Sequence, residues 1–136
     1  QTELLIRARE AAKIVGATPL DRPEDIEIDP LTGAIVISLT NNKKAGRPFG
    51  SLLRIVEKDG NPLSLEFQAT TWIAGSPEVG FACPDNLCFD RQGNLWMTTD
   101  MSGASVWRDP YKPFGNNSLF MIPAKGEMAG QPIRMA

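Results

Sequence analysis

Pro23-Glu24-Asp25-Ile26-Glu27-Ile28-Asp29, a turn to Gly33, then Ala34-Ile35-Val36-Ile37-Ser38-Leu39-Thr40-Asn41 is answered later in the chain by a second copy. That copy reads Pro84-Asp85-Asn86-Leu87-Cys88-Phe89-Asp90, a turn to Gly93, then Asn94-Leu95-Trp96-Met97-Thr98-Thr99-Asp100. Each runs Pro, acid, Asp or Asn, apolar, any, apolar, Asp, turn, Gly, and then an apolar strand ending in Thr and a polar residue. The first copy has one extra turn residue. A supersecondary unit recurring at this scale marks an array of modules. Here the unit is a β-hairpin, so the array reads as a β-propeller.

Working outward, Ser51–Glu57 and Leu65–Ile73 supply two more strands to the first copy, around a turn at Asp59-Gly60-Asn61-Pro62. After Leu95–Thr99 a long polar loop runs over Ser102–Asn117, and Ser118–Ile122 makes a further strand. The expected fold is mainly β: about two four-stranded blades, residues 22–75 and most of a second over 83–123, forming an incomplete propeller domain over 1–136. A short helix over 2–15 precedes them. Leu4, Ala8, Ala11, Ala12 and Val15 share one face of it, with Thr2 as N-cap and Gly16 as stop. That one-sided helix needs something to pack on. Asp29 and Asp90 are read as turn formers, because an Asp side chain accepts from the amides of its own turn.

Two blades do not close a ring, since propellers use about 4–8. Sheet edges and blade faces would be left open, so the chain reads as a piece of something larger, and self-association through those edges is expected of it in isolation. Gln1 in place of an initiator Met points the same way.

Composition removes several function classes. The net charge of −2 gives no case for nucleic acid or an anionic membrane, and Lys43, Lys44 and Arg47 read as a solvated basic loop. No apolar run approaches the ~20 residues that span a bilayer. There is no His, which excludes Ser-His-Asp and Cys-His catalysis within the chain. Cys83 and Cys88 flank Pro84-Asp85-Asn86 too tightly for easy bridging and read as free, partly buried thiols, a poor zinc site. Trp96 is expected in the core and Trp107 at the surface.

Asp21-Arg22-Pro23-Glu24-Asp25-Ile26, Leu39-Thr40-Asn41-Asn42, Pro84-Asp85-Asn86-Leu87 and Gly93-Asn94-Leu95-Trp96 together resemble the PhoX-type alkaline phosphatases, bacterial proteins long grouped under a domain of unknown function. The resemblance spans nearly the whole chain. It implies a secreted or periplasmic phosphomonoesterase with calcium, and iron beside it, at the propeller mouth. On that analogy Glu24 is a metal-bridging carboxylate, Asp85 and Asn86 are calcium ligands on the next blade, and Arg22 contacts phosphate. The family's other ligands lie in segments that this sequence lacks, including an Asn-His-Glu pattern and an iron-binding cysteine, to which Cys83 does not correspond. Taken alone, the chain is expected to be inactive.

The residues themselves favour oxygen-ligand chemistry modestly. Calcium takes six to eight oxygens, and a carboxylate after a strand-opening Pro can point toward a propeller axis. Two other readings stay open. One is a calcium-dependent hydrolase of the gluconolactonase type, and the other is a non-catalytic propeller binding module.

Overall fold

The two repeated aspartates build the two hairpins, and the rest of the architecture follows from them. In a computed structural model describing residues 2–136, the Asp29 carboxylate accepts from the Leu31 amide at 2.8 Å and the Thr32 hydroxyl at 2.6 Å. Gly33 completes that turn in the left-handed region at φ 73°. Asp90 does more: it accepts from the amides of Gln92 and Asn94, the Asn94 side chain and the Trp96 indole, all at 2.9–3.2 Å. These turns join β1 (Pro23–Ile28) to β2 (Ile35–Leu39) and β5 (Pro84–Phe89) to β6 (Leu95–Thr99).

Each hairpin grows into a four-stranded antiparallel sheet. The first adds β3 (Ser51–Glu57) and β4 (Phe67–Ala74); the second adds β7 (Leu119–Ile122) and β8 (Ile133–Arg134). Strand order is sequential in both, as in propeller blades. The second sheet is therefore complete, whereas the sequence suggested only most of a blade. Its last strand is two residues long and follows a Gly-rich loop, so no alternation betrays it. The passage from β2 to β3 also needs glycine: Gly50 sits at φ 73°, and a Cβ there would lie 2.2 Å from the Leu39 and Thr40 carbonyl oxygens.

The sheets stack through one apolar cluster. Val36 and Leu52 come from the first sheet, Leu87, Leu95, Met97, Phe120 and Ile122 from the second, and Phe81 from the connection. Burying a side chain of this size is worth about 1.5–3 kcal/mol. Toward one end of the sheets a second cluster forms from Ala82, Cys83, Met101, Tyr111 and Phe114, with Phe49 edge-on to both Tyr111 and Phe114. The loop over 102–117 is thus not simply polar. Tyr111 and Phe114 are buried, and the Asn117 side chain ties the loop down by bonding the backbone of Met101 in both directions.

The N-terminal segment differs from a single helix over 2–15. It forms α1 (Thr2–Ile6) and α2 (Ala8–Ile14), parted at Arg7, and Thr2 is the first helical residue rather than a cap. Gly16 stops α2 as expected: it is left-handed, its amide reaches Lys13 O, and the Ala17 amide reaches Ala12 O. No residue of either helix is buried. The packing that would hold one long helix straight is absent, and helices this short are marginal in water. No helix among the described residues is long and apolar enough to cross a membrane.

Candidate functional site

Both repeats enter their first strand through the same strained step. Arg22 and Cys83, each directly before the proline, lie at φ 55°. A left-handed backbone is uncommon for residues other than glycine, and a following proline disfavours αR, leaving β as the norm. Backbone bonds hold the kink in both copies. Arg22 O accepts from the Thr40 amide at 3.0 Å, and Cys83 O accepts from the Asp100 amide at 2.9 Å. Just beyond, the Asp25 amide donates to the Ser38 hydroxyl at 3.0 Å, and the Asn86 amide donates to the Thr98 hydroxyl at 3.3 Å. The repeat thus makes Glu24 equivalent to Asp85, and Asp25 equivalent to Asn86. Strain retained twice at one position is the kind that marks functional sites.

Because β1 and β5 run side by side, the two strand heads place their acids at one mouth. Burial first, and then the charges of Asp100, Glu24 and Asp25, push the Asp85 carboxyl above its ordinary range, with Arg22 pulling the other way. The Arg22 guanidinium donates to the Glu24 carboxylate at 3.1 Å. Arg22, Glu24 and Asp85 therefore share one neighbourhood. Asn86 is exposed on the same strand, in the place that Asp25 holds in the first copy.

Behind Arg22 lies a polar cavity of about 120 Å³, bordered by Arg22, Asn41, Lys43, Cys83, Asp100 and Tyr111. Asn41 donates to the Cys83 sulfur at 3.4 Å, and the Tyr111 hydroxyl donates to Pro48 O at 2.8 Å. The Lys43 ammonium stands 4.9 Å from the Tyr111 ring centre, so the basic loop is not merely solvated. Burial pushes the Cys83 thiol up, keeping it protonated, and burial with the neighbouring Cys83 pushes Tyr111 up to about 12. Both cysteines are free, but only Cys83 is buried; Cys88 is exposed, which corrects the expectation of two partly buried thiols. Trp107 is exposed as expected, whereas Trp96 is half-buried with its indole bonded to Asp90.

Sequence reasoning missed Tyr111 and Lys43, which come from distant loops. It also passed over the strain at Arg22 and Cys83, although alignment of the two copies sets both before a proline. As donors, the carboxylates at the mouth suit a hard cation such as calcium. Among the described residues, however, no three acidic or thiol groups converge closely enough to hold one by themselves.

The family described as alkaline phosphatase PhoX matches residues 1–134. The chain belongs to the PhoX alkaline phosphatase family. Among solved structures, it is similar to Pseudomonas fluorescens PhoX in complex with vanadate, a transition state analogue, with 30% identity and a TM-score of 0.84. That match covers 99% of this chain and 28% of the PhoX chain. A search of the curated proteins finds no match.

Proposed function

We propose that this chain forms two adjacent blades of a metal-dependent phosphomonoesterase of the PhoX family, working in the periplasm or outside the cell and inactive when isolated. The similarity of nearly the whole chain to a PhoX bound to vanadate carries this reading. Vanadate mimics a phosphoryl group in transfer, and the feature of this chain suited to such a group is an arginine beside gathered carboxylates. Arg22, next to the cavity that Lys43 also borders, offers the phosphate a planar fork of donors. Glu24 and Asp85, with Asn86 beside them, offer oxygens to calcium, and iron would need ligands from elsewhere in the protein. Bound metal would polarise the phosphoryl oxygens and activate the attacking oxygen. The chain's own contribution is to orient the ester and crowd negative charge where a cation is wanted. Burial first, and then the charges of Asp100, Glu24 and Asp25, raise the Asp85 carboxyl, and a bound cation would act against that shift.

The test compares melting temperatures of the chain in millimolar calcium and in chelator, alongside p-nitrophenyl phosphate turnover by the longer protein that contains it. A ligand at ten times its Kd stabilises by about 1.4 kcal/mol. The expected result is a calcium shift that disappears in Glu24→Ala, turnover by the longer protein that is lost in Arg22→Ala, and no turnover by the chain alone. Absence of the shift would mean that calcium binding needs ligands from the rest of the protein, and lactone hydrolysis without phosphatase activity would overturn the reading. In isolation the chain self-associates through its open sheet faces, which a single monomer mass in light scattering at micromolar concentration would contradict.

A further inference from the structure

We infer that Asp25 is a positioning residue, a latch that fixes strand β5 against β1 and thereby sets Glu24 opposite Asp85. Among the described residues β5 is an edge strand of its sheet, pairing only with β6. An edge strand has backbone amides without ladder partners, and Leu87 lies on β5 within the apolar core, where an unbonded amide is costly. The Leu87 amide donates to Asp25 Oδ2 at 2.7 Å, across the gap between the two sheets. The second oxygen of the same carboxylate, Oδ1, accepts from the Ile26 amide at 2.8 Å.

One side chain thus bonds the backbone of both first strands, two residues after Glu24 at Ile26 and two residues after Asp85 at Leu87. Its own amide is anchored to the Ser38 hydroxyl on β2, which is fully buried, so the latch stands on a buried residue of the first sheet. Charge-assisted bonds of a carboxylate to amides are shorter and stronger than neutral ones. Among the described residues, Asp25 is the one side chain whose hydrogen bonds join β1 to β5, and these are the strands that bring the two halves of the proposed site together. The catalytic consequence rests on the phosphatase reading; the latch itself does not.

Native-state amide exchange of the whole chain, followed by NMR, tests it in Asp25→Asn and Asp25→Ala. Asparagine keeps a carbonyl acceptor of the same shape, and Asn86 occupies the equivalent place in the second copy. In the alanine variant, Leu87 exchange should rise about tenfold or more, with amide shifts at Glu24 and Asp85, while the β2 and β3 amides keep their protection. In the asparagine variant, Leu87 protection should be largely restored. Unchanged Leu87 exchange in the alanine variant would overturn the latch. Equal loss at Leu87 in both variants, or a uniform loss through β2 and β3, would also overturn it. If the alanine variant fails to fold, the asparagine variant alone decides by whether Leu87 stays protected. None of these readouts depends on turnover, so a failure of the phosphatase reading would leave them unaffected.

Discussion

Ile26 and Leu87 hold the same place in the two repeats, yet Ile26 is 60% exposed and Leu87 is 5% exposed. Both lie on the first strand of a four-stranded sheet, three residues after the strand-opening proline. What differs is the neighbour: Leu87 lies against Val36 and Leu52 of the first sheet, and Ile26 and Ile28 have no sheet over them. The repeat therefore encodes a blade that is only half of a packing unit. In the second blade the first-strand residue Leu87 packs on the blade before it, and among the described residues no sheet covers Ile26.

The comparison is broken most directly by truncating both residues. Leu87→Ala should cost about 2–5 kcal/mol, the range for emptying a core leucine site. Ile26→Ala should stay within about 0.5 kcal/mol, as exposed substitutions do. Urea melts of the two variants at one low protein concentration decide it. If Ile26→Ala proved as costly as Leu87→Ala at that concentration, below the one at which the open faces associate, Ile26 would be packed within its own chain and the comparison would fail.

The two turns sharpen the comparison at a smaller scale. Asp29 receives two bonds from its turn and Asp90 receives four, including one from the Trp96 indole. Asp90→Ala should lower the melting temperature more than Asp29→Ala. It should also change the near-ultraviolet signal of Trp96, which Asp29→Ala leaves alone. Hydrogen bonds from Asn94 hold the Asp90 carboxyl below its ordinary range, so its share of stability is present above the unfolded value and fades as pH falls below it. Equal losses in the two variants would mean that the extra bonds contribute nothing beyond closing the turn.

The local grammar of these hairpins was legible in the sequence because it is local. An Asp at the strand end, a Gly a few residues on and alternating apolar positions specify a hairpin without help from the rest of the chain. Legibility failed where distant residues decide the outcome. β8 is two residues long and exists because Phe120 and Met121 offer a strand to pair with. Tyr111 sits in a segment rich in polar residues and is buried by Phe49 and the second cluster, more than 50 positions away in sequence for Phe49. The break at Arg7 reflects missing packing rather than any helix-breaking residue. At the site, Arg22, Glu24 and Asp85 could be picked out as strand-head polar residues, but the cavity beside them needed loops that no periodicity connects. Asp25 was visible as half of an Asp/Asn pair between the copies, though its bond to Leu87 was not.

The smallest effects separate the two sheets by pH. Beside the first sheet, the Arg47 guanidinium and the Asn42 amide hold Asp21 down at about 2, against an ordinary value of 3.8. A depressed acid adds stability that is full above its unfolded pKa and lost as pH falls through the folded one, so this contribution fades between about pH 4 and 2. In the loop of the second sheet, burial holds Tyr111 up at about 12 against 10.0. A raised pKa acts in the opposite sense: its contribution is full below pH 10 and lost as pH climbs toward 12. Asp21→Asn should flatten only the acid limb of the stability profile, and by little, since exposed ion pairs are worth about 0–1 kcal/mol and weaken in salt. Tyr111→Phe should flatten only the alkaline limb, and salt should leave that change intact because the ring is buried. If both limbs moved together in either variant, the acid limb could not be assigned to Asp21 and the alkaline limb to Tyr111.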